Sequence, residues 1–187
     1  MKNIVVFASG NGSNFETIAA ACKSGELDAE VKLLVCDKKG AFAIERAKKY
    51  GIETLVLTPK DFPSKADYES EILKKLSSID IDLICLAGYM RIIGDTLLEP
   101  YQGKIINTHP ALLPSFKGMH AIEQAVEYGV KIYGITIHYV DSSLDGGKII
   151  DQASLYYDGD DIEYLKEELL KIEHALYISV IKKLLSK

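Results

Sequence analysis

Asn107 and His109 lie two positions apart in the stretch NTHPALLPSF (107–116), and Pro110 follows them directly. Residues i and i+2 of an extended segment share one face, so both side chains should point into the same crevice where a strand ends. An amide can donate to a developing oxyanion, and an imidazole can donate or accept a proton near neutral pH. The pair therefore suits addition to a carbonyl carbon. A hydrogen-bonded histidine beside a turn-forming asparagine remains the alternative.

An acidic loop, DSSLDGG (141–147), contains a candidate partner for this histidine. Such a tight loop can bring Asp145 back across the end of the sheet towards His109. A carboxylate beside an imidazole favours its protonated form, which would make His109 a usable proton donor. The alternative is an ordinary hairpin turn, in which aspartate and two glycines supply the required dihedral angles.

A glycine-rich turn, SGNGSN (9–14), follows the first apolar run. Free backbone N–H groups at the start of a helix, together with the positive end of the helix dipole, suit a phosphate at Gly12, Ser13 and Asn14. The turn lacks the Walker lysine and the full GxGxxG pattern, so a phosphate monoester fits better than a nucleoside triphosphate or NAD. In the alternative, the glycines only relieve backbone strain and Ser13 or Asn14 caps the helix.

The elements that must position these residues follow an alternating pattern. Five apolar runs predict buried strands: NIVVFA (3–8), VKLLVC (31–36), ETLVL (53–57), DLICLAG (82–88) and KIINT (104–108). Amphipathic patterns between most of them predict helices, two of which should end at Gly25 and Gly51. Strand and helix in alternation favour an open, doubly wound α/β fold, with ligands beyond the carboxyl ends of the strands.

The alternation of strands and helices stops in the last third of the chain. The runs 131–140 and 147–157 predict an antiparallel strand pair, and apolar residues at helical spacing over 160–186 predict a long closing helix. The fold class is therefore α/β, a single domain (1–187) whose open doubly wound sheet is mostly parallel, with an antiparallel C-terminal strand pair. The sequence shows no linker or repeat.

Composition narrows the function classes. The formal net charge of the 187 residues is −5, which argues against nucleic acid or an anionic membrane as a partner and favours small-molecule substrates. Three separated cysteines in apolar segments indicate neither a disulfide framework nor a metal motif, so we expect no metal and a cytoplasmic location. The first apolar run is about six residues, shorter than the ~7–15 of a signal peptide.

Five segments in this order resemble the phosphoribosylglycinamide formyltransferase family over nearly the whole chain. They are SGNGSN (9–14), LAGYMRI (86–92), INTHPALLPSFKGMHA (106–121), TIHYVDSSLDGG (136–147) and EHALY (173–177). The resemblance implies transfer of a formyl group from 10-formyltetrahydrofolate, the donor co-substrate, to the amine of 5-phosphoribosylglycinamide. We expect a monomer or homodimer, with a phosphate-binding half at about 1–100 and a folate and catalytic half at about 101–187.

The resemblance also implies residue roles. The catalytic residues would be Asn107, His109 and Asp145. The residues that bind the acceptor substrate would be Gly12, Ser13, Asn14 and Glu173. Those for the folate are Lys65, Met90, Arg91, Ile92, Ile93 and Asn107. Glu173 would meet the glycinamide amine and Lys65 would replace an arginine common in the family. For both, a solvated helix residue is the alternative.

The sequence contains three further histidines. For His138 and His174 the sequence favours packing roles, and His120 is a candidate substrate contact.

One rival function is that of a formyltransferase with another acceptor, such as methionyl-tRNA, for which a basic surface is expected. The other is a noncatalytic module that binds a phosphorylated metabolite.

Overall fold

The apolar runs of the first two thirds of the chain form the parallel part of one seven-stranded sheet. In the computed structural model, which describes residues 1–186, these strands are β1 (Lys2–Ala8), β2 (Ala29–Cys36), β3 (Thr54–Val56), β4 (Leu83–Leu86) and β5 (Ile105–His109). The strand order is β3-β2-β1-β4-β5-β6-β7. The chain reverses direction across the sheet between β1 and β4, and crevices at such a point are where open α/β sheets bind ligands.

The last two strands are antiparallel. β6 (Ile132–Tyr139) pairs with both β5 and β7 (Ile149–Tyr156), and its register places His138 opposite Asn107 and Thr136 opposite His109. The predicted strand pair is confirmed. Its first strand also continues the sheet from β5, and because these two strands are antiparallel, the loop after β6 starts beside the amino end of β5.

Helices cover both faces of the sheet. They are α1 (Ser13–Ser24), α2 (Phe42–Tyr50), α3 (Lys65–Leu76), α4 (Asp95–Leu98), α5 (Ala121–Tyr128) and α6 (Ile162–Leu185), with a 3₁₀ turn at Pro59–Asp61. Gly25 and Gly51 end α1 and α2 in the left-handed conformation, as predicted. The pattern did not reveal α4 and α5, which are too short to show several helical repeats. The predicted fold class is confirmed.

Alternating residues of the parallel strands enter two separate cores. In β1, Ile4 and Val6 pack towards the side of α1 and α6, whereas Val5 and Phe7 pack towards α3 and α4. Strands buried on both faces read as continuous apolar runs, which explains why the sequence pattern found them.

Glu69 is a buried carboxylate that joins α3 to the turn before α4. Its Oε1 accepts a hydrogen bond from the Gly94 backbone N–H at 2.7 Å, and burial raises the pKa of Glu69 above its ordinary value of 4.5. A carboxyl group with a raised pKa in the folded state stabilises the fold at low pH, and that stability is lost as the pH rises through the folded pKa.

We therefore expect Glu69→Gln to have a higher melting temperature than the native protein at pH 8. Near pH 4 the two melting temperatures should be the same. Glutamine keeps the acceptor oxygen for Gly94 but has no charge to desolvate. Thermal unfolding at both pH values measures the difference, with the more exposed Glu71→Gln on the same helix as control. An equal loss of stability at both pH values would contradict the prediction.

Candidate active site

Asn107 and His109 lie at the carboxyl end of β5, on one face of the strand. His109 is only 4% exposed, and Asn107 is partly buried. Both side chains lie on the α3 and α4 side of the sheet, as does Ile105 two residues earlier. The i, i+2 spacing thus predicted their common face correctly.

His138 contacts the Asn107 amide across the β5–β6 ladder. The His138 Nδ1–H donates to the Tyr139 carbonyl oxygen at 2.8 Å, and burial lowers the pKa of His138. In the neutral ring Nε2 is then the acceptor, so it receives a hydrogen bond from the Asn107 Nδ2 at 3.2 Å. This contact fixes the orientation of the Asn107 amide, with its NH₂ group towards His138. The sequence assigned His138 a packing role, and only the register of β6 against β5 could have shown this contact.

Asp145 lies in the loop between β6 and β7 and faces both histidines. Its Oδ2 is 3.5 Å from His109 Nδ1, and its Oδ1 is 3.9 Å from His138 Nε2. The same Oδ2 accepts a hydrogen bond from the Gly118 backbone N–H at 2.8 Å. The separation from His109 is longer than the usual hydrogen bond. The structure thus brings Asn107, His109 and Asp145 into one cluster, with His138 between the amide and the carboxylate.

The loop after β5 covers the other side of the His109 ring. The His109 Nε2 donates to the Phe116 carbonyl oxygen at 2.8 Å. Both ring nitrogens therefore face oxygen atoms, one of the backbone and one of Asp145. His120, at the start of α5, is exposed, and its candidate contact with substrate stays a prediction.

The glycine-rich turn begins α1 without a side-chain cap among residues 1–186. Gly12 is the N-cap residue, in the left-handed conformation (φ +77°). Capping by Ser13 or Asn14 is therefore wrong, and the first backbone N–H groups of the helix have no side chain as acceptor. The turn lines an open cavity of about 310 Å³, together with Lys38, Gly88 and Met90. A cationic lysine beside these N–H groups suits an anion.

Glu173 connects this turn to β5. It is 9% exposed. Its Oε2 accepts from the Asn14 Nδ2 at 3.0 Å, and its Oε1 accepts from the Thr108 hydroxyl at 2.7 Å. A solvated helix carboxylate is therefore wrong for Glu173. Its contact with an amine stays a prediction.

The segment Met90–Ile93 lies next to the turn, between β4 and α4. The Met90 backbone N–H donates to the Ser9 hydroxyl at 2.8 Å. Met90 and Ile92 are exposed, whereas Ile93 is buried in the core on the α3 side. Lys65 at the start of α3 is exposed and lies 3.9 Å from Glu69, which in turn holds Gly94. Lys65 thus lies close to Gly94, the residue that directly follows this segment.

Two findings bear on metals and membranes. Residues 1–186 contain no group of three or more His, Cys, Asp or Glu side chains arranged to hold a metal ion. In the same part of the chain, no helix is both long and apolar enough to cross a membrane.

The fold and this cluster define a class of protein. It is a doubly wound α/β protein in which an amide, an imidazole and a carboxylate lie near a glycine-rich turn that can bind an anion. The formyl transferase family matches residues 2–181. The chain therefore belongs to the formyl transferase family.

Similar proteins cover nearly the whole chain. The phosphoribosylglycinamide formyltransferase of Bacillus subtilis is 50% identical over 186 residues, which are 99% of this chain and 95% of that protein. The Escherichia coli enzyme of the same name is 38% identical, over 96% of this chain and 85% of that protein. A crystal structure of the phosphoribosylglycinamide formyltransferase from Bacillus halodurans has a TM-score of 0.96 at 48% identity, and the match covers 100% of this chain and 96% of that one.

Proposed function

We propose that the protein transfers the formyl group of 10-formyltetrahydrofolate to the amine of 5-phosphoribosylglycinamide. The products are formylglycinamide ribotide and tetrahydrofolate, in de novo purine biosynthesis. The names of the similar proteins support this activity. The observation that carries it is the cluster of Asn107, His109 and Asp145 at the carboxyl end of β5, beside an anion-suited turn.

The cluster suits direct transfer through a tetrahedral oxyanion. Attack of the amine on the formyl carbon places negative charge on the formyl oxygen, and a preorganised donor stabilises that charge. In this proposal Asn107 donates its second amide N–H, because the first is held by His138. His109 donates or relays the proton, and Asp145 orients the imidazole from 3.5 Å. No covalent intermediate with the protein is needed.

The substrates would lie on either side of this cluster. The phosphate of the acceptor would bind the backbone N–H groups of Gly12, Ser13 and Asn14, with Lys38 nearby. The buried Glu173 would meet the glycinamide amine. The folate would bind along Met90–Ile93, close to Asn107 and Lys65.

The setting of the activity is also part of the proposal. We infer one catalytic domain over residues 1–187 that works in the cytoplasm as a monomer or homodimer. Its substrates are small molecules, and the net charge of −5 supports neither nucleic acid nor an anionic membrane as partner. The formyl donor is a co-substrate, and the reaction as proposed uses no metal.

A comparison of acceptors tests the function. The absorbance change on deformylation of 10-formyltetrahydrofolate is followed with glycinamide ribotide, with free glycine and with water as acceptor. Rapid reaction with glycinamide ribotide alone is expected. Binding of both compounds without deformylation would indicate the noncatalytic module, and reaction with water would indicate a hydrolase.

Gly12→Ala should weaken phosphate binding and lower stability together. A Cβ at Gly12 would lie 2.6 Å from the Ala43 Cβ, and the residue has φ +77°. Because a left-handed conformation costs about 1–2 kcal/mol for a residue with a Cβ, we expect the KM for glycinamide ribotide to rise roughly tenfold and the melting temperature to fall.

Gly10→Ala, in the same turn, is the matched control for stability, since a Cβ there meets nothing within 4 Å. Its melting temperature should stay at the native value. A Gly12→Ala protein with native KM and melting temperature would rule out the close contact of this turn with α2.

A further inference from the structure

Asp37 is a buried carboxylate that the proposed mechanism does not use. It directly follows β2, at the same sheet edge as the glycine-rich turn, and its side chain is 0% exposed. Its Oδ2 accepts a hydrogen bond from the Arg91 Nε–H at 2.8 Å, and its Oδ1 has no partner among residues 1–186. A buried charge is costly unless it is paired. Within residues 1–186, Arg91 is the one hydrogen-bond partner of the Asp37 carboxylate.

Arg91 is held by one edge of its guanidinium only. The Nε–H is used by Asp37, and no other hydrogen bond of this guanidinium forms within the described chain. The side chain is 47% exposed, so its outer nitrogens face solvent. Arginine has five N–H donors in a rigid fork, so fixing Nε also fixes the direction of the other four.

The backbone of the same segment is anchored on both sides of Arg91. Ser9 accepts from the Met90 N–H at 2.8 Å, and Glu69 accepts from the Gly94 N–H at 2.7 Å. Asp37 supplies the side-chain anchor between these two backbone anchors. Three polar groups, which directly follow β1, directly follow β2 and lie on α3, thus bind one segment that is largely exposed.

We propose that Asp37 is a positioning residue for the formyl donor: it holds Arg91 so that the Met90–Ile93 segment is preorganised to bind it. The inference rests on the proposed function, because it takes this segment as the folate site. A preorganised segment loses less conformational entropy on binding. Asp37 should therefore influence donor affinity and have little effect on the chemical step.

Asp37→Asn tests this inference. Asparagine keeps the size of the side chain but loses the charge, and hydrogen bonds to charged groups are the stronger ones. We expect the KM for 10-formyltetrahydrofolate and the Kd for tetrahydrofolate to rise about tenfold. The kcat and the KM for glycinamide ribotide should stay close to native. The exposed Asp61→Asn, in the 3₁₀ turn after β3, is the matched control.

A double-mutant cycle separates positioning from a general structural role. If Asp37 acts through Arg91, then Asp37→Asn has no further effect on the Kd for tetrahydrofolate once Arg91→Ala is present. Equal effects of Asp37→Asn in both backgrounds would overturn the proposal, as would a fall in kcat with native donor KM. Arg91→Lys keeps a positive charge beside the buried Asp37 but loses the rigid fork, so its Kd for tetrahydrofolate should also rise. A native Kd in Arg91→Lys would overturn the proposal even if Asp37→Asn folds poorly.

The failure of this inference is distinguishable from failure of the proposed function. If the native protein binds tetrahydrofolate but transfers no formyl group, the function is wrong, and the binding cycle still tests Asp37. If transfer occurs and Asp37→Asn binds tetrahydrofolate as the native protein does, only the inference about Asp37 is wrong.

Discussion

His109→Gln should reduce kcat by about 10²–10⁴, which is the usual contribution of a positioned acid–base group. Glutamine is close in size and keeps a donor that can reach the Phe116 carbonyl oxygen, which His109 contacts at 2.8 Å. It cannot take up or release a proton near neutral pH. We therefore expect the melting temperature and the KM of both substrates to stay close to native, while turnover falls.

Steady-state kinetics with glycinamide ribotide and 10-formyltetrahydrofolate measure this effect. His174→Gln is the matched control, since His174 lies on α6 and makes no hydrogen bond to the cluster. The control should turn over like the native protein. Native turnover in His109→Gln would remove the imidazole from the proposed mechanism.

Asp145→Asn should lower kcat on the order of 10²-fold. The amide oxygen of asparagine can still accept from the Gly118 N–H, so the loop contact is kept. Only the charge that faces His109 at 3.5 Å and His138 at 3.9 Å is lost. Without that charge the imidazole has no anionic partner to orient it, so turnover should fall with little change in substrate KM.

Two further variants of the same loop are compared with Asp145→Asn. Asp145→Ala removes the Gly118 contact as well and should also raise the substrate KM values. Asp141→Asn changes an exposed carboxylate of the same loop and should have native kinetics. If Asp145→Asn keeps native kcat, then the carboxylate does not act on His109, whatever its distance in the structure.

Much of the fold followed from local patterns. The apolar runs gave the five parallel strands, because strands buried on both faces have no polar alternation. Gly25 and Gly51 marked helix ends, since glycine readily adopts the left-handed conformation found there. The common face of Asn107 and His109 followed from the two-residue period of a strand. Each of these features depends on residues close together in the chain.

The site was predictable in part. The motifs of the resemblance located the glycine-rich turn, the strand end and the acidic loop. In the structure Glu173 links the turn to β5, and Asp145 of the acidic loop lies 3.5 Å from His109. Capping by Ser13 or Asn14 was wrong because Gly12 is the N-cap residue, and the Asn14 side chain bonds to Glu173 on the last helix. Capping propensity reports local geometry, so it could not include a partner from the other end of the chain.

The sequence by itself determined the kinds of element, their order and the chemical groups that could act. Tertiary structure decided which of these groups touch: His138 meets Asn107 across 31 positions, Arg91 meets Asp37 across 54, and Glu173 meets Asn14 across 159. The physical reason is that such contacts depend on strand order and register. A shift of one residue in the pairing of β6 with β5 would turn His138 to the opposite face and away from the Asn107 amide.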